Sequence, residues 1–195
     1  MSTRSSAIIG VVALAVSLTV SAPSVSSAAG PVTGRATGPA ATGPSLEWIS
    51  LVTGDQVAID ASGKLLAVRP AIGRERIRIT IYGSGGHLYV VPADAAALVS
   101  KGVVDRRLFD VTLLARPEYR RQNAGGLAII VTYNGHGAQA VRAADGVRVE
   151  HTYTSINGDG LRLGDPGSAD AWQRLAGASG VKKVWLDAVP DSLYY

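Results

Sequence analysis

The sequence contains no cysteine, so no disulfide bond can hold its fold together. A zinc site built from cysteines is excluded for the same reason, and the three histidines form no cluster along the chain. Charged residues make up 17% of the chain and hydrophobic residues 47%, which favours a folded protein over a disordered one. A hydrophobic core must therefore stabilise the fold without covalent help.

The chain also lacks a strong excess of charge of one sign. Its formal net charge is +4 and the basic residues are dispersed, which is too weak a pattern to predict a nucleic-acid partner. Residues 83–86 (Gly-Ser-Gly-Gly) lack the Lys and Ser or Thr that complete a phosphate-binding loop, and they join two predicted strands. A turn is predicted there, and no motif implies a cofactor.

Residues 1–29 predict a secretory signal peptide. Arg4 precedes an apolar run from Ala7 to Val20, and small residues lead to Ala28 and Ala29, where signal peptidase would cut. The run has about 14 residues, fewer than the roughly 20 that a membrane span needs. We therefore expect a secreted, extracellular protein without a membrane anchor. Residues 30–45 are rich in Gly, Pro, Ala and Thr and predict a flexible linker.

Residues 46–119 predict a small β-rich domain. Residues 76–82 alternate between Ile and polar side chains, which is typical of a half-buried strand. Residues 92–101 predict a short helix with Pro92 near its start, and residues 103–112 predict a returning strand. The polar segment at residues 120–126 predicts a domain boundary.

Residues 125–190 predict a second domain with the element order β-α-β-β-α-β. In the second strand, Val147, Val149 and Tyr153 have the even spacing of side chains on one face. The Asn-Gly-Asp-Gly sequence at residues 157–160 predicts a hairpin loop. This order is that of the ferredoxin-like arrangement. The predicted fold class is therefore α+β, a small β-rich N-terminal domain followed by a ferredoxin-like domain.

Short motifs follow one another through both domains. They are Leu-Val-Thr-Gly-Asp at 51–55, Val-Pro-Ala-Asp-Ala at 91–95, Asp-Arg-Arg-Leu-Phe-Asp-Val at 105–111, Ile-Val-Thr-Tyr at 130–133, Ser-Ile-Asn-Gly at 155–158 and Val-Trp-Leu-Asp at 184–187. In this order the chain resembles the N-terminal pro-region of a secreted bacterial subtilisin-like serine protease, without the catalytic domain. Residues 125–190 then correspond to its propeptide, or inhibitor-like, domain.

The resemblance implies a function in binding. Propeptides of this family lay one sheet face on the protease and thread their tail through its active-site cleft, which assists folding and then inhibits the enzyme. Strand addition is the physical basis of the tail contact. Asp159, in the predicted hairpin loop, would approach a helix N-terminus of the protease, although a plain turn-forming role is the alternative. The protease-binding tail would comprise Asp187, Ala188, Val189, Pro190, Asp191, Ser192, Leu193, Tyr194 and Tyr195.

No catalytic residue is predicted. The family marks its serine with Gly-Thr-Ser, which does not occur here, and its histidine with His-Gly-Thr, whereas His136 is followed by Gly and Ala. His87 and His151 lie in predicted strands, and Ser155 lies beside a hairpin without a base near it in sequence. We therefore expect a chain that is not an enzyme.

Two alternatives remain open. The chain would instead be the N-terminal fragment of a subtilisin-like serine endopeptidase precursor whose catalytic domain is missing. It would otherwise be a secreted, non-catalytic binding module, with Trp48, Trp172 and Trp185 as a platform for sugar rings. The apolar helix face around Trp172 and the apolar strand around Trp185 favour core packing of these two rings.

Expression in a secreting host tests the export prediction. We expect a mature chain cleaved at Ala28 or Ala29, because the basic, apolar and small residues follow the order that signal peptidase reads. Mass spectrometry of the culture medium measures the new N-terminus. A secreted chain that still contains residues 1–20 would contradict the prediction.

Overall fold

The computed structural model describes residues 46–135, 137–164 and 167–187. The predicted signal peptide, the predicted linker, His136 and the tail from Ala188 to Tyr195 lie outside the described residues. The described residues confirm a mixed α and β fold, with nine strands in antiparallel sheets and five α-helices. Among them, no helix is both long enough and apolar enough to cross a membrane.

The N-terminal half contains a three-stranded sheet, a hairpin and a helix. The sheet consists of β1 (Glu47–Ser50), β2 (Gln56–Ile59) and β3 (Leu65–Arg69), and the hairpin consists of β4 (Ile79–Ser84) and β5 (His87–Pro92). Gly85 and Gly86 form the hairpin turn with positive φ angles of 59° and 80°, as the predicted turn requires. Pro92 is the N-cap residue of α1 (Ala93–Ser100). Proline has no N–H, and the first N–H groups of a helix have no partner within it, so proline is tolerated at this end.

The strand predicted at residues 103–112 is wrong. This segment forms a 3₁₀ turn (Arg106–Phe109) and α2 (Val111–Leu114), and α3 (Pro117–Gln122) follows. Two aspartates explain the difference, because each accepts a backbone N–H at the start of one turn. Asp105 accepts from Arg107 N at 2.9 Å, and Asp110 accepts from Leu113 N at 3.0 Å.

The C-terminal half is one antiparallel sheet with two helices. In chain order its elements are β6 (Leu127–Tyr133), α4 (Ala138–Arg142), β7 (Val147–Tyr153), β8 (Gly158–Leu163), α5 (Ala169–Gly177) and β9 (Val181–Leu186). The strands lie side by side in the order β7-β8-β6-β9. A 3₁₀ turn (Thr154–Ile156) connects β7 to β8.

One face of this sheet forms a hydrophobic core with both helices. Side chains alternate across a strand, so the odd-numbered positions of β6 and β8 share this face. They pack with Val141 of α4 and with Trp172 and Leu175 of α5. The sheet residues in this core are Leu127, Ile129, Val131, Leu161, Leu163, Val184 and Leu186.

The two halves share that core. Phe109 meets the ring of Trp172 edge-on at a centroid distance of 6.4 Å. Val184 N donates to Val103 O at 2.8 Å, so the chain before the first 3₁₀ turn extends the sheet beyond β9. The predicted boundary at residues 120–126 therefore lies between segments that belong to one compact unit.

An ion cluster that is buried at Arg74 and Asp55 and partly exposed at Asp94 also connects the halves. Arg74, 5% exposed, donates through Nε to Asp55 Oδ1 at 3.1 Å and through Nη1 to Asp94 Oδ2 at 2.8 Å. Trp172 Nε1 donates to the same Asp94 oxygen at 2.7 Å. Burial by itself raises the pKa of Asp94, but the hydrogen bonds from Arg74 and Trp172 outweigh it and hold that pKa below its ordinary value.

The hairpin loop predicted at residues 157–160 is wrong, because only Asn157 belongs to the turn. Its φ is 47°, and its Nδ2 donates to Tyr133 O at 3.0 Å. Gly158 already starts β8, and a Cβ built on it would lie 2.6 Å from Val131 O. This glycine is therefore needed for the close approach of β8 to β6, and the Gly-Asp-Gly segment is part of a strand.

Gly158→Ala is expected to lower the free energy of unfolding by about 1–3 kcal/mol, because the added methyl group forces the two strands apart. Gly177→Ala is the matched control, since a Cβ there has open space. It should leave stability unchanged or raise it slightly. Urea denaturation of both variants measures the difference, and an equal effect of the two substitutions would refute the packing argument.

Candidate functional site

The second face of the four-stranded sheet is the candidate site, and we call it the open sheet face. The register places Ile130 opposite Trp185, and Thr132 opposite Lys183. Side chains directly opposite each other on paired strands share a face. The face comprises Ile130, Thr132, Arg148, His151, Tyr153, Gly158, Gly160, Arg162, Lys183 and Trp185.

A β-bulge decides which residues of β7 reach this face. The register shifts between Val149 and His151, so Val149 stays on the core side while His151 and Tyr153 turn to the open face. The predicted common face for Val147, Val149 and Tyr153 is therefore wrong at Tyr153. The even spacing in the sequence could not show the extra residue.

Two glycines leave the centre of the open sheet face without projecting side chains. Gly158 and Gly160 add no side chain there, and the Tyr153 ring lies beside Gly160, where a Cβ would be 3.4 Å from ring atoms. Tyr153 is 37% exposed and Ile156, in the adjoining turn, is 50% exposed. Tyr153 and Ile156 therefore present apolar surface to solvent beside these glycines.

Charged side chains fix one end of the face. Arg162 Nε donates to Glu150 Oε1 at 2.6 Å, and its Nη1 donates to Gln122 O at 2.8 Å and Gly126 O at 3.0 Å. The hydrogen bond from Arg162 holds the pKa of Glu150 below its ordinary value. Arg162 thereby anchors β8 to the segment that precedes β6.

Asp159 does not lie in a hairpin loop, as the sequence predicted, but within β8 and on the core face. Its side chain is 0% exposed and accepts from Arg142 Nε at 2.8 Å, Arg142 Nη2 at 2.6 Å and Thr152 Oγ1 at 3.0 Å. Burial raises its pKa, but the hydrogen bonds from Arg142 and Thr152 outweigh burial and keep it below the ordinary value. The carboxylate could cap a partner's helix only if this pair opened.

The two described histidines and the serine rejected as catalytic residues from the sequence lie on different elements. His87 Nδ1 is 2.7 Å from Asp110 Oδ2 in the N-terminal half, while His151 lies on the open sheet face and Ser155 in the turn after β7. Within the part of the chain that the structure describes, no hydrogen bond connects any of the three to another. No three His, Asp or Glu side chains come together there to hold a metal ion either.

The three tryptophans also lie apart in the fold. Trp172 is 1% exposed, which confirms core packing. Trp48, in β1, is half-buried, and the guanidinium of Arg69 lies 4.1 Å above its ring. Trp185 is half-buried on the open sheet face, so the core prediction is wrong for it.

In comparisons with known proteins, the chain matches no family model, no curated protein and no solved structure.

Asp159→Asn tests the electrostatics behind the sheet. The folded pKa lies below the ordinary value of 3.8, so the pair with Arg142 stabilises the fold above about pH 4 and loses its effect as the pH falls through the folded pKa. We expect the variant to lose about 1.5–3 kcal/mol at pH 7 and to unfold with a weaker dependence on acid than the parent. Urea denaturation at pH values from 2 to 7 measures this.

Asp145→Asn, at an exposed carboxyl group, serves as the matched control and should stay within about 0.5 kcal/mol of the parent. If Asp159→Asn left the acid limb of the stability curve unchanged, the lowered pKa would be wrong.

Proposed function

We propose that the chain is a propeptide-like protein that binds a subtilisin-like serine protease through the open sheet face, and inhibits it or assists its folding. The observation that carries this proposal is the asymmetry of the four-stranded sheet. Two helices pack on one face, and the other face presents aromatic and basic side chains to solvent.

We further propose that residues 127–187 are a ferredoxin-like unit. If β6, β7, β8 and β9 are numbered 1 to 4, the sheet has the strand order 4-1-3-2 and every neighbouring pair is antiparallel. The two helices follow the first and third strands. This agrees with the β-α-β-β-α-β arrangement of the propeptide domain that the motifs resemble.

Binding rather than catalysis is the proposed activity. No side chain projects from the centre of the open sheet face, because Gly158 and Gly160 occupy it. A hydrolytic site instead needs a nucleophile, a base and an oxyanion donor around one cleft. Such a face is suited to another protein surface of similar shape. Burial of Tyr153 and Trp185 against that surface would provide much of the binding energy.

The tail is the second proposed contact. Asp187 N donates to Ala128 O at 3.1 Å, so the chain enters the tail directly from a hydrogen-bonded strand. We propose that residues 187–195 pair with strand edges in the active-site cleft as a substrate would. This places the inhibitory segment next to the docking surface in the sequence.

The proposed setting is extracellular, since a signal peptide at residues 1–29 would bring the chain to secreted proteases. The same surface would act within one polypeptide if the chain is the N-terminal part of a protease precursor. Both cases require the open sheet face to contact a catalytic domain, so one binding experiment tests them together.

Tyr153→Ala is expected to weaken inhibition of subtilisin by the full chain about tenfold or more, because buried aromatic side chains dominate many interfaces. Tyr82→Ala is the matched control. Tyr82 has the same exposed fraction, 37%, but lies on the β4–β5 hairpin. Inhibition constants for the parent and both variants, measured with a peptide substrate, decide the outcome.

A third variant without residues 188–195 should inhibit at least tenfold less while it keeps its unfolding temperature, since several backbone hydrogen bonds to the protease are lost. The proposal is refuted if the parent chain inhibits no subtilisin-like protease in a panel and gains no thermal stability from their inactive forms. Equal losses for Tyr153→Ala and Tyr82→Ala would exclude the open sheet face as the contact.

A further inference from the structure

A cleft of about 560 Å³ lies at one end of the open sheet face. The 3₁₀ turn (Thr154–Ile156) forms one wall, and the beginning of β9 forms the other. Thr132 of β6 contributes to the lining between these walls. We call this feature the β9 cleft.

The β9 cleft is lined by basic side chains without acidic ones. Lys182 and Lys183 both belong to its lining, and no Asp or Glu does. Across residues 46–135, 137–164 and 167–187, neither lysine forms an ion pair. Their charges are therefore available to a ligand, and they favour an anion.

One contact and one unpaired hydroxyl group make this region suitable for a hydrogen-bond acceptor. The Lys183 ammonium lies 5.2 Å from the centre of the Trp185 ring, so a cation–π contact holds it on the open sheet face. Thr132, directly opposite Lys183 in the register, is 5% exposed, and its Oγ1 has no hydrogen-bond partner within the described residues. A buried hydroxyl without a partner is uncommon and carries a free-energy cost that a bound acceptor would remove.

The rest of the lining is mixed, with polar Thr154, Ser155 and Asn157, but it includes two large apolar side chains that could hold a hydrocarbon group next to the anion. Ile156 is 50% exposed at the rim, and the half-buried indole of Trp185 forms part of the opposite wall. A ligand that matches this cleft carries a negative charge and an apolar group side by side.

We propose that the β9 cleft binds an Asp or Glu side chain of the protein partner, with an apolar neighbour of that residue against Trp185 and Ile156. The carboxylate accepts from Lys183, and from Thr132 after a small shift of its hydroxyl. The identification of the partner as a protease rests on the proposed function, whereas the preference for a carboxylate does not.

A carboxylate fits the lining better than a phosphate group does. The described lining contains no arginine, whose planar guanidinium would bind a carboxylate or a phosphate alike through two parallel hydrogen bonds. It contains no helix N-terminus either, since its wall is a short 3₁₀ turn beside two strands. The ammonium groups act as point charges, and the apolar rim selects an amphiphilic ligand.

Nuclear magnetic resonance titration of the full chain tests the carboxylate preference directly. The probes are a blocked peptide with Phe-Glu at its centre, the neutral analogue with Phe-Gln, and sodium phosphate. We expect the Phe-Glu peptide to shift the Trp185 indole N–H and the Lys183 amide resonances. The Phe-Gln peptide and phosphate should need at least about tenfold higher concentrations for the same shifts.

Lys183→Gln is expected to weaken Phe-Glu binding about tenfold, since the charge and the cation–π contact are lost together. Lys101→Gln, after the end of α1, is the control at an exposed lysine and should bind like the parent. Because the amide spectrum of each variant also reports its fold, loss of binding can be told from unfolding. Equal binding of Phe-Glu and Phe-Gln, stronger binding of phosphate, or no effect of Lys183→Gln would overturn the proposal.

Failure here and failure of the proposed function are distinguishable. If the chain binds the Phe-Glu peptide but inhibits no protease, the proposed carboxylate site stands and the proposed protease partner is refuted. A chain that inhibits a protease equally well with Lys183→Gln, and ignores the peptide, keeps the proposed function and loses the carboxylate site.

Discussion

The cluster of Arg74, Asp55 and Asp94 is the interaction on which the arrangement of the two halves depends. Arg74, 5% exposed, is paired with the buried carboxylate of Asp55, and loss of one partner from a buried ion pair costs about 3–5 kcal/mol. Asp94 is partly exposed, so solvent weakens its own pair with Arg74. Thr53 Oγ1 and Ala71 N also donate to Asp55, at 2.7 Å and 2.9 Å, so its oxygens are fully engaged. The Trp172 bond to Asp94 then carries this constraint to α5, which covers the sheet.

This cluster gives a physical meaning to two of the motifs in the sequence. Asp55 ends the motif at residues 51–55, and Asp94 lies in the motif at residues 91–95. Gly54, within the first motif, has a φ of 83° and lies so close to Gly167 that a Cβ would be 2.8 Å from its carbonyl oxygen. These positions build the frame behind the sheet, on the side away from the open sheet face.

Sequence patterns predicted several elements of the C-terminal half. The strand Leu127–Tyr133 agrees with a continuous apolar run and the helix Ala169–Gly177 with the apolar face around Trp172, and Ser168 caps the helix by accepting from Asp170 N at 3.1 Å. Periodicity failed at residues 103–112, where apolar side chains suit a strand or a turn equally well. Asp105 and Asp110 each accept a backbone N–H and so favour two short turns. The pattern of hydrophobic residues does not show this local signal.

The sequence by itself determined the antiparallel-rich α and β composition, the core position of Trp172 and the absence of disulfides. Only the tertiary structure decided the candidate site. The bulge in β7 brings Tyr153 to the open sheet face. Gly158 belongs to β8, where it approaches Val131 O of β6 closely, and Asp159 is buried where it accepts hydrogen bonds from Arg142. Each of these outcomes depends on a contact between different elements of the fold, and such contacts leave no periodic trace in a single sequence.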